Sequence, residues 1–370
     1  MLECAAVQES QDIVVHGRDG DCPVVVRPGA LDALGALAAP RVRGRAAAVV
    51  ADSNTGPLYA ARAAASLEAA GFRAAVREVP AGEGSKNVAR LQELWEFFHG
   101  AGVARGDLVV ALGGGVVGDL AGFAAATWMR GVAVVQVPTS LLAFVDSSIG
   151  GKTAVDLPAG KNLAGAFHQP VAVVADPLLL RTLPPREFSQ GMAEVVKYGC
   201  IRDAAFFAWL EGRAGAPFAD ADVSRIVAVC AAHKAAVVSA DEREGGLRAV
   251  LNFGHTVGHA LEKVLGYGTV AHGEAVAAGM VAAARIGEAL GRTEAGTAAR
   301  IAALLARLSL PTRLGDLAPG VDRGGLLAAT MSDKKRAGDA VRFVLLDRVG
   351  ACSSVPLRPD EIAPVLASLP

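Results

Sequence analysis

Lysine and asparagine are scarce in this chain of 370 residues. Lysine occurs only at 86, 152, 161, 197, 234, 263, 334 and 335, so arginine supplies the other 28 of the 36 positive charges. Asparagine occurs only at 54, 87, 162 and 252. A chain that solvates itself with arginine leaves its few lysines as candidates for work that needs a compact ammonium. Cysteine is sparse too. Its five positions (4, 22, 200, 230, 352) never form a C-x-x-C pair, which argues for reduced thiols in a cytosolic protein and against a thiolate metal cage. Neither sign of charge dominates: 36 basic side chains face 37 acidic ones, a net charge of -1. A nucleic-acid groove or a polybasic membrane surface needs concentrated positive charge, so neither partner is expected. No apolar run reaches about 18 residues; the best, Ala275–Ala284, stops at Arg285. The segment Met1–Gln11 carries Glu3 and Glu9 and no basic stretch, so no signal peptide is expected. What remains is 52% apolar and 20% charged, enough to bury a large core in roughly two domains at about 150 residues each.

The first half alternates two periods. Ala46–Ala51, Arg73–Val79, Asp107–Leu112, Val132–Val137 and Val171–Ala175 read as strands, and Leu58–Ala70 and Asn87–Phe98 as helices. Such alternation predicts a mostly parallel sheet covered on both faces. After Pro184-Pro185 the pattern turns helical through Glu187–Gly199, Ala204–Glu211, Val223–Asp241, Phe253–Leu265, Gly273–Leu290 and Glu294–Leu308, with one strand-like piece at Val341–Leu346. The expected division is an α/β domain over 1–180 and a mainly helical domain over 181–370, with a site in the cleft between them. Residues 1–45 leave open whether they add a strand.

Several stretches carry chemistry-bearing residues. Gly113–Asp119 (GGGVVGD) lies between a strand and a helix. Glycines there would let backbone approach a pyrophosphate at a helix N-terminus, although a plain glycine turn fits equally. Asp52-Ser53-Asn54 closes an earlier strand, where an acid can bind a ribose hydroxyl or simply cap a loop. Gly150-Gly151-Lys152-Thr153 mimics the end of a P-loop, but the pattern requires glycine at 146 and the chain has Asp146. Asp146, Lys152, Lys161 and Asn162 share a stretch poor in regular-structure signal, which suits a loop presenting polar groups to an anion. Glu194 and Lys197 are spaced i, i+3 as in an ordinary helix pair. His255 and His259 share a helix face, and His272 opens another helix. Together with a carboxylate, these histidines would suit zinc or a related divalent ion.

Taken in order, the segments Gly113–Arg130, Val137–Lys161, Thr182–Lys197 (TLPPREFSQGMAEVVK), Leu251–His259 (LNFGHTVGH), Ala271–Glu274 (AHGE) and Asp333–Lys335 resemble the dehydroquinate synthases of the sugar-phosphate cyclase superfamily, over about 45–350. The resemblance implies a Rossmann-like N-terminal domain and a helical C-terminal one. It also implies bound NAD and one catalytic divalent ion, zinc or cobalt. Glu194, His255 and His272 look like the metal ligands. Asp52, Asn54, Glu83, Lys86, Gly114, Gly115, Val116, Asp119, Thr139, Ser140 and Thr182 match the family's NAD contacts, with Lys152 and Lys161 close by. Ser140 stands where a second threonine is more usual, and it keeps the hydroxyl. Asp146, Lys152, Asn162, Lys197, Lys234, Arg248, Asn252, His259 and Lys334 match substrate-site residues. Arg130 resembles an arginine that reaches a neighbouring subunit's site, which implies a homodimer. The implied reaction converts 3-deoxy-D-arabino-heptulosonate 7-phosphate to 3-dehydroquinate and phosphate, with transient oxidation by NAD, phosphate elimination, re-reduction and aldol closure. A sibling cyclase acting on another sugar phosphate, and a metal-dependent polyol dehydrogenase that releases NADH, are the rival readings.

Overall fold

The structure, a computed structural model, describes residues 13–18, 20–266, 268–332, 336–337 and 340–369. The chain divides into two compact units, one of residues 1–183 and 219–243, the other of 184–218 and 244–370.

The first unit is built on a seven-stranded sheet. Strands β1 (Ile13–Gly17) and β2 (Gly20–Val26) form an antiparallel hairpin. A short helix α1 (Leu34–Ala38) follows. Then come β3 (Ala46–Asp52), α2 (Gly56–Ala69), β4 (Arg73–Val79), α3 (Val88–Gly100), β5 (Leu108–Gly113), α4 (Gly115–Thr127) and β6 (Ala133–Pro138). A separate antiparallel hairpin, β7 (Lys152–Leu157) and β8 (Gly160–Phe167), precedes β9 (Ala172–Ala175). The sheet order is β1-β2-β9-β6-β5-β3-β4, parallel everywhere except at β1–β2. Strands β5 and β9 are buried at every residue, and that is why they read as unbroken apolar runs rather than alternations. Chain order reverses between β3 and β5, so Asp52 and Gly113 end the two strands that flank the topological switch point, where doubly wound sheets bind ligands.

The chain then enters the second unit with α5 (Pro185–Arg202) and α6 (Ala204–Arg213) and returns to the first with α7 (Asp220–Ala240). The apolar stripe Ala231, Ala235 and Val238 explains the return, since it packs with Val15, Val24 and Val173 of the sheet and with Ile149. The division expected at residue 180 thus lies close to the first crossing, but one helix of the expected helical domain belongs to the sheet unit. Helix α7 is also long and apolar enough to cross a membrane by length and composition, and 56% of that stretch is buried.

The second unit continues with α8 (His255–Leu265), α9 (His272–Ala289), α10 (Thr297–Arg307), α11 (Leu314–Leu317) and α12 (Arg323–Met331). A three-stranded antiparallel sheet of β10 (Arg336–Ala337), β11 (Ala340–Arg348) and β12 (Ala351–Leu357), then α13 (Pro359–Ser368), complete it. Helix α9 is its axis: Ala275, Ala278, Ala282 and Ile286 pack with Val257 and Leu261 of α8 and with Phe343 and Leu345 of β11.

Two stretches differ from the sequence reading. The stretch expected to be a loop around Lys152–Asn162 is the β7–β8 hairpin. Its register runs from Lys152↔Phe167 to Leu157↔Gly160 with a bulge near Asp156, and its polar, glycine-containing strands hide the period of two. The late strand has a partner, β12, whose Ser353, Ser354 and Pro356 read as loop because the strand is half-buried.

Candidate active site

In the first unit the carboxyl ends of β3 and β5 carry the expected nucleotide residues. Asp52 Oδ1 accepts hydrogen bonds from the backbone N–H of Asn54 and of Thr55, both at 2.9 Å, and from the Thr55 hydroxyl at 3.0 Å. The loop-capping role is therefore real. Gly114 is the N-cap of α4, and no side chain caps that helix. A Cβ on Gly114 would lie 3.3 Å from Ser140 Oγ, and one on Gly115 would lie 3.1 Å from Ser147 Oγ. The glycines keep open the space above the first turn, where backbone N–H groups and the helix dipole favour an anion. Val116 follows in that turn, and Thr139 is held there by its N–H to Gly113 O, 3.0 Å. The Thr182 hydroxyl lies 2.5 Å from Tyr59 Oη and donates to Leu179 O at 3.2 Å, so it serves the fold.

A second group gathers around Lys86, only 5% exposed. Its ammonium lies 2.6 Å from Asp119 and 3.9 Å from Glu83, and it donates to Asn162 Oδ1. Lys161 reaches Glu83 at 3.7 Å. Burial pushes the Asp119 carboxyl up to about 6 against the downward pull of Lys86. The hairpin is latched here: Asp156 N–H donates to Lys86 O, and Asn162, at φ 56°, donates its N–H to Asp156 Oδ1, both at 2.8 Å. Asp146 sits on a helical turn widened to i→i+5 bonding (Ser148 N–H to Ala143 O, 3.2 Å) and pairs with the buried Lys234 of α7. Lys152 opens β7 exposed, and Arg130 is exposed at φ 66° beside Met129 at φ 50°, a left-handed pair in which non-glycine residues are strained.

In the second unit three helices meet through close backbone approach. A Cβ on Gly273 would sit 2.2 Å from Gln190 O of α5, and one on Gly279 would sit 2.1 Å from Gly254 O at the start of α8. These contacts bring together Glu194 (α5), His255 (α8) and His272 (α9), whose ligand atoms all lie within 4.8 Å of one another. Glu194 Oε1 is 3.3 Å from His255 Nε2 and 3.7 Å from His272 Nε2. Glu194 is fully buried, and its carboxylate faces the Lys197 ammonium and the two imidazoles. Burial would raise its pKa, but the paired ammonium of Lys197, itself 1% exposed, and the His255 imidazole hold it well below the usual carboxylate range. Burial pulls His255 below its ordinary value. The same burial effect on His272 is outweighed by hydrogen bonds to Glu194 and Glu262, which push it up to about 10. An ionised carboxylate facing two imidazoles is a donor set that suits a zinc-like ion. His259 is exposed, its ring centroid 5.4 Å from that of His255 and 6.1 Å from that of His272. Arg248 is buried, and Asn252 donates to Ala249 O at 3.1 Å and to Glu244 Oε1 at 3.5 Å. Lys334 lies outside the described residues.

The sequence reading missed Glu262, whose carboxylate lies 3.3 Å from His272 Nδ1. The available signal was its place seven residues after His255, two helical turns along the same face.

Fold and cluster define a class: two-unit proteins that join a doubly wound sheet, glycine-looped at its switch point, to a helical unit bearing a Glu–His–His cluster of metal-site geometry. A solved 2-deoxy-scyllo-inosose synthase, complexed with carbaglucose-6-phosphate, NAD+ and Co2+, has this fold at TM-score 0.86 and 27% identity, covering 96% of this chain and 99% of its own. The family models for the 3-dehydroquinate synthase N-terminal and C-terminal regions match residues 76–190 and 191–336. The chain is 48% identical to the 3-dehydroquinate synthase of Pelobacter propionicus over 352 residues, covering 95% of this chain and 97% of that one. It is 50% identical to that of Geobacter metallireducens over 343 residues, covering 92% and 94%. The chain belongs to the 3-dehydroquinate synthase family.

Proposed function

We propose that the chain converts 3-deoxy-D-arabino-heptulosonate 7-phosphate to 3-dehydroquinate and phosphate. The reading is carried by the Glu194–His255–His272 cluster in a chain whose likeness to 3-dehydroquinate synthases extends across both units. When bound, NAD would take a hydride from C5 and return it, and a zinc or cobalt ion would polarise the C5 hydroxyl as a Lewis acid. Gly114, Gly115, Val116, Thr139 and Ser140 would meet the NAD pyrophosphate. Asp52 and Asn54 would meet a ribose, and Glu83, Lys86, Asp119, Lys161 and Thr182 would line the remainder. Glu194, His255 and His272 would hold the metal.

The cations suit a substrate that carries both phosphate and carboxylate. In the first unit Lys152 and Asn162 would bind the phosphate end, and Lys234, held by Asp146, the carboxylate. In the second, Lys197 and Lys334 would serve the phosphate and Arg248 with Asn252 the carboxylate, through charge-assisted hydrogen bonds. His259, exposed one turn from His255, can exchange protons with the substrate. Arg130 would complete the site of a second copy in a homodimer. The strained turn that projects it and the exposed Leu163 and Phe167 on one face of β8 support that assembly. A cytoplasmic setting fits Cys22, Cys200, Cys230 and Cys352, which form no disulfide.

The test is phosphate release from 3-deoxy-D-arabino-heptulosonate 7-phosphate with and without a chelator, while absorbance follows NADH. Chelator-sensitive release without net NADH is expected. Release from sedoheptulose 7-phosphate instead would reassign the chain to a sibling cyclase. Steady NADH accumulation from a polyol would make it a dehydrogenase.

A further inference from the structure

We infer that Glu262 is a positioning residue that sets the ring orientation, tautomer and donor strength of His272 toward the metal. The two histidines of the cluster differ in what holds their far nitrogen. His255 Nδ1 lies 3.2 Å from the carbonyl oxygen of Phe253, a neutral acceptor. His272 Nδ1 lies 3.3 Å from Glu262 Oε1, a carboxylate only 13% exposed. With a metal bound, Nδ1–H donating to Glu262 would leave the lone pair of His272 on Nε2, the nitrogen that faces Glu194. A carboxylate behind a ligating imidazole fixes the ring and raises its basicity, and removing such a partner typically weakens metal binding ten- to a hundredfold. His272 has more need of this support than His255. Both open their helices, but the His272 side chain is 31% exposed against 10% for His255.

The inference rests on reading Glu194, His255 and His272 as the metal ligands, and a readout of metal affinity tests both without assaying turnover. Zinc is titrated into metal-free protein against a chromogenic chelator, for the parent and for Glu262→Ala, Glu262→Gln, His272→Ala and the double variant Glu262→Ala/His272→Ala. Glu262→Ala should bind one zinc per chain with a Kd weaker by roughly ten- to a hundredfold. Glu262→Gln keeps the acceptor without the charge and should fall between it and the parent. In the His272→Ala background, Glu262→Ala should change the Kd by less than about threefold, because the ring through which it acts is gone.

A Glu262→Ala Kd within threefold of the parent overturns the inference. So does an undiminished effect in the His272→Ala background. Loss of a second zinc equivalent would also overturn it, by making Glu262 a ligand with His259 and His272, a grouping whose donor atoms also lie within 4.8 Å of one another. Parent-like zinc binding by His272→Ala would defeat the ligand reading itself, a distinct result.

Discussion

Lys86→Met should unmask how far the first unit depends on one buried ion pair. The ammonium is 5% exposed and lies 2.6 Å from Asp119, whose side chain is 19% exposed. Removing one partner of a buried pair costs about 3–5 kcal/mol, because the other charge stays behind without compensation. The residual exposure of Asp119 places this case near 3. At about 2–4 °C per kcal/mol for a unit of some 200 residues, the melting temperature should drop by roughly 6–12 °C. The loss carries a pH signature. The folded pKa of Asp119, about 6, already exceeds its ordinary 3.8, so the native state holds that proton more tightly than the unfolded chain does. Asp119 is therefore a neutral acid below about 4, and it withdraws stability as pH rises toward 6. Without Lys86 the folded pKa climbs further, and the withdrawal continues above 6. The deficit of Lys86→Met against the parent should then be largest at pH 8 and shrink by pH 5. Adding Asp119→Asn should recover most of it at pH 8. Trp95 and Trp128, two of the three tryptophans, lie in this unit, so intrinsic fluorescence follows its melting. An equal deficit at pH 5 and pH 8, or a double variant no better than the single, would refute the reasoning.

Glu194→Gln should abolish stoichiometric zinc binding together with turnover, and full activity with retained metal would sink the ligand assignment. Asp176 is fully buried and accepts from the backbone N–H of Gly29 (2.9 Å), Leu178 (3.1 Å) and Leu31 (3.3 Å). Asp176→Ala leaves those donors unmet and should cost about 3 kcal/mol, so a melting shift under about 2 °C would contradict the accounting. Gly273→Ala forces a Cβ to within 2.2 Å of Gln190 O. It should destabilise by about 1–3 kcal/mol through overpacking and lower zinc occupancy by separating α5 from α9, whereas unchanged zinc stoichiometry and melting would show that the helices give way freely.

What was legible follows burial. Strands β3, β5, β6 and β9 lie inside the sheet between covering layers, so their apolar runs could be read directly. The hairpins β1–β2 and β7–β8 and the strand β12 were not found, because half-exposed strands interrupted by Gly20, Pro23, Gly165 or Pro356 carry no clean period. Helix α7 was found but placed with the wrong unit, since its pattern shows that it is buried but not against what. Spacing alone left Glu194 as an ordinary i, i+3 partner of Lys197 and the three histidines as a loose cluster. Their order along the family's segments was needed to make them one set.

The steric reason for that cluster was nevertheless in the chain. His255 follows Gly254 and His272 precedes Gly273, and each glycine marks a place where α9 is approached so closely that a Cβ would strike backbone. On Gly254 it would lie 2.9 Å from Val276 O, and on Gly273 2.2 Å from Gln190 O. One histidine beside a glycine at a helix start carries little weight by itself. Two such pairs at the starts of consecutive helices are different, because each glycine fixes where a backbone must come close, and the adjacent imidazole is carried with it. The geometry of the cluster is thus set by residues that have no side chain. That is why the residue types alone suggested the chemistry, while the contacts that carry the two imidazoles to Glu194 are seen in the fold.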